Sequence, residues 1–196
     1  MNLKSKELGQ VFTPDFIVDL MCENLDILGK KILEPSCGDG AFLTYLARKY
    51  IKEFLSKSKD LQALKIALEQ HLIGIEIDAI LLQKCKENLD LIAGEFGIKN
   101  VKWNLINGDF LELYENYKGQ IDIIVGNPPY IRIHNLNKNA RKFALGGMSD
   151  LFLIFFELGF LCLKNGGELI FITPSSWLNS KAGLNLRQNI NAEKIS

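Results

Sequence analysis

The chain has 196 residues, enough for one domain with a sizeable core, and its 47% hydrophobic and 23% charged residues are ordinary for a folded globular protein. Lys plus Arg and Asp plus Glu both number 23, so the formal net charge is zero, which argues against an extended phosphate-binding surface within these residues. The four cysteines and two histidines are scattered with no C-x-x-C or Cys/His cluster, which excludes a structural zinc site and reads as reduced core thiols.

The polar start, Met1 to Lys6, is not a signal peptide. Thr13-Pro14-Asp15 reads as a helix start, with Thr13 as N-cap and Pro14 at the first helical position. Ile17, Leu20, Met21, Leu25 and Leu28 keep helical spacing up to a stop at Gly29. Residues 31–34 form a first strand, followed by the loop Pro35 to Gly40 and a helix from Ala41. Residues 52–70 form a charged, helical excursion. A second strand covers 72–77, a helix 79–96, a third strand 101–106, and a fourth the apolar run 121–126. A polar loop spans 132–149. Leu151 to Leu163 is strongly apolar, but it contains Glu157 and is too short for a bilayer, so it reads as a buried helix. Gly166-Gly167 turns into a fifth strand, 168–172. Alternating strands and helices predict an α/β fold, Rossmann-like, with a mostly parallel sheet covered on both faces.

In such sheets ligands bind beyond the carboxyl ends of the strands, near the point where strand order reverses. The expected strand ends carry suitable groups. Glu34, Ser36, Gly38 and Gly40 follow the first strand, where small residues let a ligand approach backbone N–H groups. Glu76 ends the second, where a carboxylate can hold ribose hydroxyls. Asp109-Phe110 closes the third, pairing an acceptor for an amine with an aromatic ring. Each has a bland alternative: a turn that needs glycine, an exposed strand-end acid, a helix cap. Jointly they favour a ligand site.

Asn127-Pro128-Pro129-Tyr130, after the fourth strand, is the most informative stretch. Asn127 offers a carboxamide oxygen. Two prolines fix φ and donate no backbone hydrogen bond, so the turn is stiff and its carbonyls are available. Tyr130 offers a flat ring. The combination suits a planar amine, with two acceptors for its N–H bonds and a face for stacking.

On these residues the chain resembles the class I, S-adenosylmethionine-dependent DNA amino-methyltransferases, and within them the γ-class adenine-N6 enzymes of restriction–modification systems. Gly9 to Pro14, Ile32 to Leu43, Glu76, Asp109-Phe110, Asn127 to Tyr130, Asp150 to Gly167 and Phe171 to Leu178 look like that family's motifs in the γ order. The resemblance implies S-adenosylmethionine as cofactor. Thr13, Glu34, Ser36 and the Gly38 backbone would serve its methionine end. Glu76 would take its ribose and Ile77 its adenine face. Asp109 would take its adenine amine, with Phe110 beside the ring and Phe155 packed on it. Asn127, Pro128, Pro129 and Tyr130 would form the catalytic turn. Trp177 reads as structural.

The family's sheet has seven strands against five expected here, so residues 1–196 are expected to be an incomplete catalytic domain. Double-stranded DNA is then the expected partner, through a C-terminal recognition domain outside these residues. Little DNA methylation is expected from them alone, with self-association through an exposed sheet edge. The resemblance also implies a bacterial cytoplasmic location. Methylation of a protein glutamine amide or an RNA base, and a non-catalytic cofactor-binding remnant, stay open as alternatives.

Overall fold

A computed structural model of the protein describes residues 13–131 and 150–175. Residues 9–12 of the first motif, the polar loop 132–149, and Trp177 lie outside them.

The elements run α1 (Asp15–Cys22), β1 (Ile32–Glu34), α2 (Ala41–Lys57), α3 (Leu61–His71), β2 (Leu72–Glu76), α4 (Ala79–Glu95), β3 (Asn104–Asn107), α5 (Phe110–Leu113), β4 (Ile121–Gly126), α6 (Leu151–Cys162) and β5 (Leu163–Phe171). The five strands form one sheet in the order β3-β2-β1-β4-β5, and every pairing is parallel. Strand order therefore reverses between β1 and β4, which is the expected position for a ligand crevice. Among the described residues β3 and β5 are the outer strands.

Alternation along the strands feeds two cores. Ile32, Leu72, Ile123 and Val125 face the layer of α1 to α4, while Leu33, Ile73, Ile75 and Ile124 face α5 and α6. That is why these strands read as nearly continuous apolar runs rather than half-polar ones. Helix α6 is buried on most of its circumference, from Leu151 to Cys162, as a composition apolar except for Glu157 requires. Among the described residues no helix is long and apolar enough to cross a membrane.

Several expectations need correction. Helix α1 ends at Cys22 rather than near Gly29, and Leu20 is exposed. The apolar spacing continued past Cys22, but Leu25 and Ile27 are buried from irregular chain. Its N-cap position is Pro14, not Thr13, whose hydroxyl is engaged elsewhere. The charged excursion is two helices, divided where the Asp60 side chain accepts from the N–H groups of Gln62 and Ala63 and starts α3. Strand β3 begins only at Asn104, and β5 begins earlier, at Leu163, with a register irregularity against β4 that absorbs the Gly166-Gly167 turn.

Candidate functional site

Most of the predicted residues lie at the carboxyl ends of β1, β2, β3 and β4, while Thr13 precedes α1 and Phe155 lies within α6. Two of the strand-to-helix turns are built alike. Asp78 caps α4 by accepting from Ile80 and Leu81, and Asp109 caps α5 by accepting from Leu111. The turn after β1 differs. Gly40 occupies the N-cap of α2 at φ 91° with no side-chain cap, so the donors at the start of α2 are left to other partners.

Glu34 closes β1 and is buried at 2% exposure, with Oε2 lacking a hydrogen-bond partner among the described residues. Burial pushes its carboxyl well above the ordinary glutamate value, with the Cys85 thiol adding to this, and the Leu43 backbone N–H opposing it. Ser36 lies in the turn itself. Its hydroxyl reaches the Asn127 carbonyl at 3.4 Å and joins the β1 loop to the β4 loop across the point of reversal. The loop is held to the sheet by Cys37 N–H on the Ile75 carbonyl at 2.9 Å.

Glu76, at the end of β2, is also buried. Its Oε2 accepts from the Gly38 N–H at 2.8 Å and its Oε1 from the Asp78 N–H at 2.9 Å. Burial raises its pKa, and those two backbone N–H groups work against the rise. The carboxylate is thus fixed in direction while each oxygen retains a second lone pair. Ile77 beside it is 53% exposed, an apolar face offered at the rim. Asn107 was not singled out from the sequence, yet its side chain donates to the Glu76 carbonyl at 2.8 Å and the Ile77 carbonyl at 3.1 Å. It holds the strand end on which Glu76 and Ile77 sit. A polar residue closing β3, next to a strand ending in Glu, was the only signal for it.

Asp109 is a helix cap, as the bland alternative held, and burial raises its pKa. Phe110 and Phe155 meet with ring centroids 5.2 Å apart, and both are buried. They form one aromatic wall behind Asp109, and both also serve the α5–α6 core.

The turn after β4 joins these groups. The Asn127 Nδ2 donates to Thr13 Oγ1 at 3.1 Å, and the Tyr130 hydroxyl lies in hydrogen-bond range of both Asn127 Oδ1 and, at 2.9 Å, the Ile172 carbonyl. Ile172 N–H in turn donates to the Gly126 carbonyl at 3.0 Å. Pro128 is buried, Pro129 and Tyr130 half-buried. The Tyr130 ring stands edge-on to Phe152 at 6.1 Å, and burial pushes its phenol up to about 12. Side by side at this end of the sheet, then, lie a buried carboxyl with one oxygen unpartnered among the described residues, a glycine loop, a second buried carboxyl fixed by two backbone N–H groups, and an Asn-Pro-Pro-Tyr turn.

The model of the family described as Eco57I restriction-modification methylase matches residues 53–196. The chain belongs to this family. Its Asn127 turn, Glu76 and Asp109 fall within the matched residues, and curated relatives extend the likeness over the β1 loop. The type II methyltransferase M.BanIII of Aneurinibacillus aneurinilyticus is 32% identical over 96% of this chain and 34% of its own length. M.HincII of Haemophilus influenzae is 32% identical over 94% of this chain and 31% of its own. The chain thus spans about a third of the length of these relatives. Solved structures share the fold. A DrdV-DNA complex matches with TM-score 0.77 and 21% identity over 97% of this chain and 23% of that one. A putative class I S-adenosylmethionine-dependent methyltransferase from Listeria monocytogenes matches at 0.61 and 22%, over 97% of this chain and 56% of that one. The class I methyltransferase fold expected from the sequence is therefore the one observed.

Proposed function

We propose that this Eco57I-type methylase chain is the catalytic portion of an S-adenosylmethionine-dependent DNA methyltransferase acting on the N6 amine of adenine. The observation that supports it most is the stitching of two half-sites: the Ser36 hydroxyl on the Asn127 carbonyl brings a loop suited to the cofactor against a turn suited to an amine.

The residues present fit S-adenosylmethionine. Glu34 Oε2, buried and without a partner among the described residues, suits the positively charged methionine end. Gly38, at φ 54°, has open space where a Cβ would project, so a ligand can approach its backbone. Glu76 is aimed for a ribose diol, and Ile77 with Asp109 suits an adenine face and amine. When bound, the cofactor supplies an electrophilic methyl on a sulfonium.

The chain's own task is to prepare the acceptor. An adenine amine is a poor nucleophile because its lone pair is delocalised into the ring. Asn127 Oδ1 and the Pro128 carbonyl accept its two N–H bonds, which favours a pyramidal nitrogen and directs the lone pair out of the ring plane. Positioning and fixed dipoles do this without a strong base. The target base leaves the helix stack to reach the turn, and the Tyr130 ring replaces part of the lost stacking. Sequence recognition is assigned to parts of the protein beyond these residues, consistent with the zero net charge here and the greater length of the relatives.

The test is labelled-methyl transfer by the protein expressed from its whole gene, offered duplex DNA, RNA and protein substrates, with the DNA product identified by nucleoside analysis. N6-methyladenine, lost by at least about a hundredfold in Asn127→Ala, is expected from the removal of a positioned acceptor. Transfer to RNA or to a glutamine amide instead, or near-normal turnover by Asn127→Ala, overturns it.

A further inference from the structure

The loop after β1 carries glycine at positions 38 and 40, both in left-handed backbone, at φ 54° and 91°. Glycine permits that region without selecting it, so such a loop takes a single shape only through bonds made to its peptides. The first half is held by the sheet: Cys37 N–H donates to the Ile75 carbonyl, and Gly38 N–H to Glu76. The peptide between Asp39 and Gly40 is held from two sides. Its N–H donates back to the Cys37 carbonyl at 2.8 Å, and its carbonyl accepts at 2.9 Å from Nδ2 of Asn88, which lies 49 residues from Asp39. A backbone carbonyl can only accept, so the direction of this bond is fixed.

Helix α4 is close enough to shape the loop. Lys84, Cys85 and Asn88 fall on one face of it, at i, i+1 and i+4. A Cβ on Gly40 would lie 2.6 Å from the Cys85 Sγ, so the helix backs directly onto the loop. Lys84 Nζ lies 3.5 Å from the Asp39 carboxylate, but the lysine side chain is mostly exposed, and such a pair contributes little. Asn88 is half-buried and makes the directed bond to the main chain.

We propose that Asn88 is a positioning residue for S-adenosylmethionine: it holds the Asp39 carbonyl toward α4, so that the Gly38 N–H stays on Glu76 and the open side of Gly38 stays turned to the cofactor; this rests on the reading of the β1 loop as the cofactor's seat. The loop is thereby shaped before the cofactor arrives, which lowers the ordering cost of binding. The Asn127 turn is held separately, through Ser36 and Ile172. Asn88 therefore governs cofactor binding and not the methyl-transfer step.

The experiment uses the protein expressed from its whole gene, with Asn88→Leu, which leaves the Asp39 carbonyl without this donor, and Asn88→Asp, which sets a carboxylate against it. S-adenosylmethionine affinity is measured by calorimetry, amide hydrogen exchange is followed in the cofactor-free protein, and the single-turnover methylation rate is taken at saturating cofactor and DNA. Asn88→Leu is expected to weaken cofactor binding about tenfold, the worth of one hydrogen bond, and Asn88→Asp to weaken it further. Exchange is expected to quicken about tenfold over the loop while β1, β2 and α4 keep wild-type protection, and the saturated rate to stay within about threefold of wild type. Unchanged affinity in both variants, exchange that quickens throughout the domain rather than in the loop, or a saturated rate that falls while affinity holds, each overturns the assignment. A wild-type protein that binds no S-adenosylmethionine is a separate result, which overturns the reading of the loop and the assignment with it.

Discussion

The Gly38 backbone N–H donates to Glu76 Oε2 at 2.8 Å, so the glycine loop after β1 aims the carboxylate at the end of β2. Two strands thereby share one binding element. Replacing Glu76 with Ala removes both the proposed ribose contact and the loop's partner. S-adenosylmethionine affinity should fall by roughly 10- to 100-fold, the equivalent of about 1.5–3 kcal/mol for a hydrogen bond to a charged group. Glu76→Gln should lie between the two, since a carboxamide can place only one acceptor. Calorimetric titration of the three proteins checks the order.

Two glycines in that loop should separate binding from stability. Gly40 has φ +91°, and a Cβ there would lie 2.6 Å from the Sγ of buried Cys85. Gly40→Ala combines backbone strain with overpacking and should destabilise folding by about 3 kcal/mol. Gly38 has φ +54° and open space beyond it, so Gly38→Ala should cost only about 1 kcal/mol of stability. On the proposed function its new methyl would project toward the cofactor, and cofactor affinity should drop more than about tenfold. Urea melts alongside ligand titrations of both variants are the check.

Glu34 sets a pH dependence of definite sign. Burial raises its folded-state pKa, so between the ordinary glutamate value and the folded value the native protein binds more protons than the unfolded one. Its contribution is therefore most favourable below about pH 4.5 and is lost as pH rises. Glu34→Gln keeps the shape without the charge. It should be more stable than wild type by ~1–3 kcal/mol near pH 8, and the difference should vanish toward pH 4.5. The same variant should bind S-adenosylmethionine less tightly at pH 8. Denaturation curves across that range decide the sign.

Tyr130 has a ring and a hydroxyl with different expected roles. The hydroxyl lies on Asn127 Oδ1, the acceptor that an incoming amine needs, and so competes with it. Tyr130→Phe should capture an extrahelical base at least as well as wild type. Tyr130→Ala loses base stacking of about 1–3 kcal/mol. Fluorescence of 2-aminopurine at the target position, bound by the whole-gene protein, would report both.

Much of this arrangement was legible because strand-end chemistry is local. Glu34 and Glu76 end apolar strands and Asp109 follows β3, and the parallel sheet places all such ends on one side. The alternation gave the α/β class, whereas the strand order β3-β2-β1-β4-β5 is known only from the structure. What escaped were the contacts made by tertiary placement. Thr13 looks like a helix cap in its own neighbourhood, yet its hydroxyl is taken by Asn127. Asn107 is one polar residue among several, and only the pairing of β3 with β2 reveals it as a clamp on Glu76 and Ile77. The end of α1 was missed because apolar spacing cannot distinguish a helix from irregular chain that buries the same residues, as Leu25 and Ile27 do.

The pairing of β1 with β4 also has a kinetic meaning. Lys31 and Asp122, joined by a backbone-to-carboxylate hydrogen bond at the base of that pair, are 91 residues apart, whereas β2 and β3 are linked through a single helix. Closing the longer loop costs more chain entropy, and such contacts are generally made slowly. The glycine loop and Glu76 thus belong to a part of the sheet that can assemble early, and the amide turn joins it afterwards. For a chain made from its N-terminus, Thr13 is synthesised first among these groups but must wait longest for its partner.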